Sequence, residues 1–145
     1  MTTLKHNDMP QELDELSGKV VDSVFAVHKE LGPGFLEKIY EDALCYELEQ
    51  RGISFIRQKS IPVFYKNQKM PTEYKLDLIV EDQIILELKT VDKILPVHEA
   101  QILSYMKQCG TSLGFVVNFN ESLIKNGIKR VVLSNNNLRA FAPSR

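Results

Sequence analysis

Long apolar runs are absent from the sequence, and their absence excludes a membrane-spanning helix, which needs about 20 consecutive apolar residues. The N-terminal residues, MTTLKHNDMPQELDEL, are polar and acidic and lack the apolar stretch of a secretory signal. We therefore expect a cytoplasmic protein that does not bind a membrane.

Cysteine is scarce as well, since the chain contains only Cys45 and Cys109. They lack the paired spacing of a metal site, and no zinc-finger pattern that could read DNA bases is present. We interpret both as free, part-buried thiols on helices of a protein from a reducing compartment.

A strong charge of one sign is also missing, because the formal net charge is -1. The distribution is uneven: residues 1–50 carry 4 Lys/Arg and 11 Asp/Glu, a net of -7, and residues 51–145 carry 14 and 8, a net of +6. The basic part could face a phosphate backbone, or its charges could be scattered and merely solvating.

The chain has 145 residues, of which 43% are hydrophobic, enough for one domain with its own core. We expect a flexible leader over 1–11, a single domain over 12–134 and a polar tail over 135–145. No repeat, low-complexity tract or interdomain linker is visible.

Apolar spacings of three and four predict a helix over Glu12–Leu31, ended by Gly32-Pro33-Gly34, and a second over about Phe35–Arg51. Short β-type runs follow at 53–58 and 61–65, with Pro62 indicating an edge position or a bulge. Two further strands are predicted at 73–80 and 83–89.

Helical spacing returns over residues 96–109, and an apolar strand follows at Leu113–Val117. A short helical turn at Glu121–Lys125 and a strand at Ile128–Leu133 complete the pattern. The order α-α-β-β-β-α-β-β predicts an α/β (α+β) fold with a mixed central sheet flanked by helices.

The two strands at 73–80 and 83–89 define a register. Pairing Val80 with Ile84 aligns Leu78 with Leu86 and Leu76 with Leu88 on one apolar face, and requires a connection of about three residues or a bulge. The same register sets Asp77 opposite Glu87, at a cross-strand distance of ~5 Å.

Two carboxylates at that separation repel each other and call for a cation, and Mg²⁺ accepts one or two carboxylates with water and phosphate completing its shell. Lys89 follows on the same face as Glu87 and could stabilise developing charge or orient a water. These are the parts of a centre that hydrolyses phosphodiesters, although the same three residues could form a solvated surface cluster.

The segments GPGFLEKIYEDAL and YKLDLIVEDQIILELKTVDKILPVHEAQILSYMK resemble the GxxExxY family, a branch of the PD-(D/E)XK nuclease superfamily. Its name-giving motif corresponds to Gly34, Glu37 and Tyr40. The resemblance spans about Val20–Val132 and implies a restriction-endonuclease-like core. Leu76 stands where a proline commonly precedes the first aspartate of the superfamily.

The resemblance implies a wider site. Glu37 would bind the metal directly or through water beside Asp77 and Glu87. Gln101 and Tyr105 resemble the Q-x-x-x-Y motif of RecB-like nucleases, whose glutamine approaches the active site and whose tyrosine supports it or contacts DNA. His98 lies one turn before Gln101 and could reach the same opening.

Lysines near the strand segment, Lys75 and Lys93 among them, are candidate phosphate contacts, although solvation explains them equally well. Gly34 is expected to adopt a backbone conformation that other residues avoid, and Tyr40 to pack beneath the site. We treat His28 as structural.

The sequence therefore predicts a Mg²⁺-dependent DNA nuclease, with Mn²⁺ as a substitute, in which Asp77, Glu87, Lys89, Glu37 and Gln101 are catalytic. The alternatives are a non-catalytic module that binds nucleic acid or protein on the same fold, and a dimeric Holliday-junction-type resolvase. A homodimer is possible in either case.

Overall fold

The computed structural model describes residues 9–134 of the chain. The tail predicted over 135–145 lies outside these residues, as does the leader predicted over 1–11 up to residue 8.

Two helices begin the described part. Helix α1 spans Gln11–Leu31 and buries a stripe at the predicted spacing, which includes Val20, Val24 and Val27. Gly32 ends it with φ 68°, and its N–H bonds to the carbonyl of His28 at 2.7 Å. Within residues 9–134, no helix combines the length and apolar character needed to cross a membrane.

Helix α2 spans Glu37–Gln50 and begins two residues later than predicted. Leu36 is still extended, with φ -67° and ψ 147°, so the first helical residue is Glu37. Gly34, just before it, has φ 106°, which confirms the prediction that this position needs a backbone conformation disfavoured by other residues.

The remaining elements within residues 9–134 are seven strands, a third helix and a 3-10 helix. They are β1 Phe55–Ile61, β2 Phe64–Tyr65, β3 Gln68–Lys69, β4 Tyr74–Val80, β5 Ile84–Lys89, α3 Pro96–Cys109, β6 Leu113–Asn118, a 3-10 helix Ile124–Gly127 and β7 Ile128–Val132. The main sheet has the order β1-β4-β5-β6-β7, and β2 and β3 form a separate hairpin. Only β5 and β6 are parallel, so the sheet is mixed, as predicted.

Helices cover both faces of the main sheet. On one face, α1 and α2 pack against Leu78, Leu86 and Leu88; on the other, α3 packs against Ile79 and Ile85. The central strand β5 is therefore apolar on both sides, and only Glu87 and Lys89 interrupt it. The predicted α/β architecture of a mixed sheet between helices is confirmed.

The region around Pro62 differs from the prediction. A single edge strand, β1, extends from the first predicted run (53–58) to the first residue of the second (61–65). Pro62 lies just beyond the end of this strand. Proline lacks the N–H that a further ladder bond would need, so the chain leaves the sheet there. Phe64 and Tyr65 then pair with β3 instead of with the main sheet.

The predicted register of β4 and β5 is confirmed at Val80 with Ile84 and at Leu78 with Leu86, across a connection of residues 81–83. The third predicted pair is wrong. Leu76 packs on the α3 side of the sheet, whereas Leu88 packs on the α1–α2 side. The alternation of side chains between the two faces of the sheet is interrupted at Asp77. There the Asp77 carboxylate, instead of a backbone carbonyl, accepts the N–H of Leu88.

Candidate active site

Asp77 and Glu87 lie side by side where the backbone pairing of β4 and β5 stops. Oδ2 of Asp77 accepts a hydrogen bond from the backbone N–H of Leu88 at 2.8 Å. Oε2 of Glu87 accepts one from the backbone N–H of Asp77 at 3.2 Å. Because each carboxylate is held by the opposite strand, the strand irregularity itself orients the pair.

Glu87 is buried, with 3% of its surface exposed. Burial and the neighbouring Asp77 charge raise the pKa of its carboxyl to about 8. An ionised pair at this depth is costly unless a cation neutralises it. Without such a cation, the surroundings of Glu87 favour its protonated form over its carboxylate.

Tyr74 supports Glu87 from the start of β4. Its hydroxyl donates a hydrogen bond to Oε1 of Glu87 at 2.7 Å, and its ring stacks on Tyr105 of α3 with centroids 3.9 Å apart. Burial, then the hydroxyl of Tyr105 and the Glu87 carboxylate, raise the pKa of Tyr74, so it remains a donor. The structure therefore places Tyr105 behind Tyr74, on the α3 side of the carboxylate pair.

Lys89 is the last residue of β5 and is half-buried. Its ammonium group has no carboxylate of residues 9–134 within 4.0 Å. Its charge lies near enough to Glu37 to offset part of the rise that burial and Asp77 cause in the pKa of that carboxyl. Lys89 is therefore a cation beside the centre that no described ion pair engages.

Glu37 reaches the same opening from the first turn of α2. It is exposed, yet partial desolvation and the Asp77 charge raise the pKa of its carboxyl, with a smaller contribution from Glu41. The two helical glutamates lie one turn apart, as their spacing indicates. Acidic side chains thus approach the centre both from the sheet and from α2.

Glu41 belongs to a polar network that the sequence did not predict. Its side chain is 6% exposed, and Oε2 accepts hydrogen bonds from Nε and Nη2 of Arg57 at 3.0 and 2.7 Å. Oε1 accepts one from Gln58 at 2.8 Å, and the same amide lies 3.5 Å from Oδ1 of Asp77. The network connects the edge strand β1 to α2 and to the carboxylate pair.

Asn118 is a second residue that the sequence did not predict. It is buried at the end of β6, beside Lys89 in the parallel register. Its side-chain amide donates to the carbonyl of Val91 at 2.8 Å and accepts from the N–H of Val91 at 3.0 Å. Asn118 thereby fixes the chain as it leaves β5 just past Lys89.

The other predicted site residues have no described contact with the pair. Gln101 is exposed on α3, and Lys75 and Lys93 are exposed on β4 and on the connection after β5. Nδ1 of His98 accepts the N–H of Leu95 at 2.9 Å, so this ring nitrogen already serves the start of α3. None of these four contacts Asp77 or Glu87 through a described hydrogen bond or ion pair.

Tyr40, the last residue of the motif that begins at Gly34, is fully buried, as predicted for an aromatic residue at helical spacing. It stacks on Phe119 with ring centroids 4.4 Å apart. Its hydroxyl donates to the carbonyl of Gly32 at 2.5 Å and accepts the N–H of Phe35 at 3.2 Å. It therefore fixes the loop that leads into Glu37.

The family model described as the PD-(D/E)XK nuclease superfamily matches residues 14–131. The chain belongs to the PD-(D/E)XK nuclease superfamily. It matches no curated protein and no solved structure significantly. Membership implies a hydrolytic nuclease that acts on nucleic acid, and the five-stranded mixed sheet between helices is consistent with a restriction-endonuclease-like fold.

PD-(D/E)XK nucleases typically use divalent metal ions. In residues 9–134, no three or more Asp, Glu, His or Cys side chains are gathered to hold a metal by themselves. The close donors are Asp77 and Glu87, and two carboxylates are what Mg²⁺ commonly takes from a protein when water and phosphate supply the rest. The buried, anion-destabilising environment of Glu87 fits such an ion.

Proposed function

We propose that this protein is a metal-dependent nuclease that hydrolyses DNA phosphodiester bonds, with Mg²⁺ bound by Asp77 and Glu87 and with Mn²⁺ as a possible substitute. The observation that carries the proposal is the carboxylate pair itself: Glu87 is buried, Asp77 is half-buried, and each accepts a backbone N–H, while no Lys or Arg in residues 9–134 forms an ion pair with either of them. A divalent ion and a substrate phosphate would complete this arrangement.

The bound metal would lower the pKa of a water molecule and polarise the phosphoryl group. Lys89 then stabilises the negative charge that develops on the phosphate oxygens as the bond from water to phosphorus forms and the ester P–O bond breaks. The proton lost by the water is matched by one that solvent delivers to the leaving oxygen. Glu37 would bind the metal directly or through water, from the first turn of α2.

The GxxExxY branch is the part of the superfamily to which we assign the chain. The support lies in the separate structural roles of the three motif residues. Gly34 adopts the positive φ of the turn, the Glu37 carboxyl is near enough to Asp77 for its pKa to be raised by that charge, and the Tyr40 hydroxyl donates a hydrogen bond to the loop at Gly32. Each motif residue therefore has a physical reason to occur at its spacing.

The test is DNA cleavage by purified protein on single-stranded, duplex and branched substrates, with Mg²⁺, Mn²⁺ or a chelator. Lys89→Ala is expected to reduce the cleavage rate at least about 100-fold, as the loss of one charge-stabilising group commonly does. The control is Lys19→Ala, an exposed lysine on α1. If wild type and Lys89→Ala act alike on every substrate, the enzymatic proposal is wrong.

The alternatives give different outcomes in the same experiments. A non-catalytic binding module would bind DNA without cutting it in any metal. A Holliday-junction-type resolvase would cut branched DNA selectively and elute as a dimer, because it must cut two strands. The contacts predicted for Gln101, His98, Tyr105, Lys75 and Lys93 remain proposals that alanine variants can test.

A further inference from the structure

The β2–β3 hairpin holds two aromatic rings in solvent. Every residue from Val63 to Lys69 is exposed, and Phe64 and Tyr65 keep 58% and 62% of their surface accessible. The hairpin is closed by Lys66 and Asn67, which have φ 50° and 65°, as a tight two-residue hairpin turn requires. Rings with this exposure contribute little to the core, and their faces are available for contact with a ligand.

The hairpin is attached next to the carboxylate pair. It leaves the sheet after Ile61 and returns at Tyr74, and these two residues are paired at the ends of β1 and β4. Tyr74 is the residue that donates to Glu87. Five residues, 62–66, cannot reach further than roughly 17 Å from that point, or about five nucleotides of one stacked strand.

The segment that contains the hairpin is basic. Residues 57–75 include Arg57, Lys59, Lys66, Lys69 and Lys75 against Glu73, a net of 5 − 1 = +4, in a chain whose net charge is -1. Glu41 and Asp42 engage Arg57, and Glu73 pairs with Lys69 at 3.4 Å. Lys59, Lys66 and Lys75 are thus the cations of this segment that no described ion pair engages, and the hairpin itself contributes Lys66.

Lys66 lies beside one of these rings, with its ammonium nitrogen 5.5 Å from the centroid of Tyr65. Aromatic faces interleaved with cations are the means by which proteins bind single-stranded nucleic acid: the cations follow the phosphates and the rings stack on bases. A duplex keeps its base faces stacked internally, so only unpaired bases can use such rings.

We propose that the β2–β3 hairpin binds unpaired DNA bases within a few nucleotides of the cleaved phosphodiester, by stacking on Phe64 and Tyr65. This inference rests on the proposed nuclease function and specifies its substrate class as single-stranded DNA or DNA with an unpaired segment. Continuity with the carboxylate pair and the local positive charge favour DNA over a protein partner.

The test measures binding separately from cleavage. All proteins carry Lys89→Ala, and fluorescence anisotropy follows binding to a labelled single-stranded 20-mer and to a blunt duplex of the same sequence in Mg²⁺. Phe64→Ala with Tyr65→Ala is expected to weaken single-strand binding at least about tenfold, while duplex binding changes less than about twofold. Replacing both residues with tryptophan should retain single-strand binding, because the stacking faces remain.

The matched control is Tyr46→Ala, an aromatic side chain on α2 that is 64% exposed. The hairpin variants should fold, since neither ring belongs to the core, and circular dichroism checks this. The inference is overturned if the double alanine variant binds the single strand like its parent, if it weakens both DNA forms equally, or if Tyr46→Ala has the same effect. Absence of single-strand binding by the parent also overturns it and leaves a protein partner as the occupant.

Cleavage by the protein with Lys89 intact separates the two proposals. If no substrate is cut but the hairpin variants lose single-strand binding, the nuclease proposal fails and the hairpin inference stands. If DNA is cut but the hairpin variants bind normally, the reverse holds.

Discussion

Arg57 connects the edge strand to helix α2 beneath the candidate centre. Its guanidinium bonds twice to Glu41, which is almost fully buried, and also pairs with the exposed Asp42. These two carboxylates raise the pKa of Arg57, so its charge is permanent. Lys38 also pairs with Glu41, but its ammonium group is 3.6 Å away and its side chain is 66% exposed. Loss of the two Arg57 hydrogen bonds would therefore leave the buried carboxylate poorly compensated, which costs more than the pair contributes.

Arg57→Met is therefore expected to lower the free energy of unfolding by about 2–3 kcal/mol, somewhat less than for a fully buried pair because Arg57 is 33% exposed. The control is Arg51→Met, since Arg51 pairs with the 71% exposed Asp22 and with Glu47 and should contribute less than about 1 kcal/mol. Urea denaturation followed by circular dichroism measures both. Equal losses in the two variants would contradict the distinction drawn between buried and exposed pairs.

The residues of this network show what the sequence could predict at the residue scale. Alternation along β4 and β5 was enough to bring Asp77 and Glu87 together, because a connection of three residues fixes the register of these two strands. Arg57 and Tyr74 could not be found in that way. Each contacts its carboxylate, Glu41 or Glu87, across more than ten positions, and no periodicity connects the members of either pair.

At the scale of elements, the turn between α1 and α2 positions the candidate centre. Gly34 adopts φ 106°, and the hydroxyl of Tyr40 bonds to the backbone at Gly32 and Phe35. The loop is thus fixed at both its start and its end immediately before Glu37. A side chain at Gly34 would meet no atom within 4 Å, so the constraint on this position comes from the backbone conformation alone.

Gly34→Ala is expected to destabilise the protein by about 1–2 kcal/mol and to reduce DNA cleavage, because alanine disfavours a positive φ and would displace Glu37. Gly18→Ala is the matched control of opposite sign. Gly18 lies inside α1 with open space around it, so alanine there should stabilise the protein by roughly 0.5–1 kcal/mol. Thermal and urea unfolding distinguish the two, and a loss of stability at both positions would show that the backbone argument is wrong.

The strands illustrate why part of the sheet was predicted correctly and part was not. The pairing of Leu78 with Leu86 followed from an alternation that both strands share. The same reasoning failed at Leu76, because α3 buries the second face through Ile79 and Ile85 and an apolar residue there carries no information about its side. When both faces of a sheet are covered, alternation no longer identifies the core face.

At the scale of the whole molecule, the fold places a carboxylate where the chain is otherwise most apolar. Strand β5 lies in the centre of the sheet, with α1 and α2 on one face and α3 on the other. Glu87 is 3% exposed there, and its pKa is raised to about 8 from an ordinary 4.5 by burial and by Asp77. Natural domains tolerate such a cost mainly where a site requires it.

This cost predicts a pH dependence for the protein without metal. Between about pH 4.5 and pH 8 the folded state keeps a proton on Glu87 that the unfolded chain releases, so stability should fall as the pH rises through this window. Glu87→Gln removes the titration and retains an oxygen that can accept from Tyr74. At pH 8 the metal-free variant should exceed wild type by about 4 kcal/mol, with the difference falling below about 1 kcal/mol near pH 5 and vanishing below the unfolded pKa.

Thermal melts across this pH range measure the effect, with the exposed Glu49→Gln as the control that should follow wild type. Mg²⁺ should then raise the melting temperature of wild type and not that of Glu87→Gln, because an ion that binds only the folded state stabilises it increasingly as its concentration exceeds the dissociation constant. A Glu87→Gln variant that is less stable than wild type at pH 8 without metal would mean that the buried carboxylate stabilises the folded protein. It would then no longer support a cation site, and the proposed function would lose the observation on which it rests.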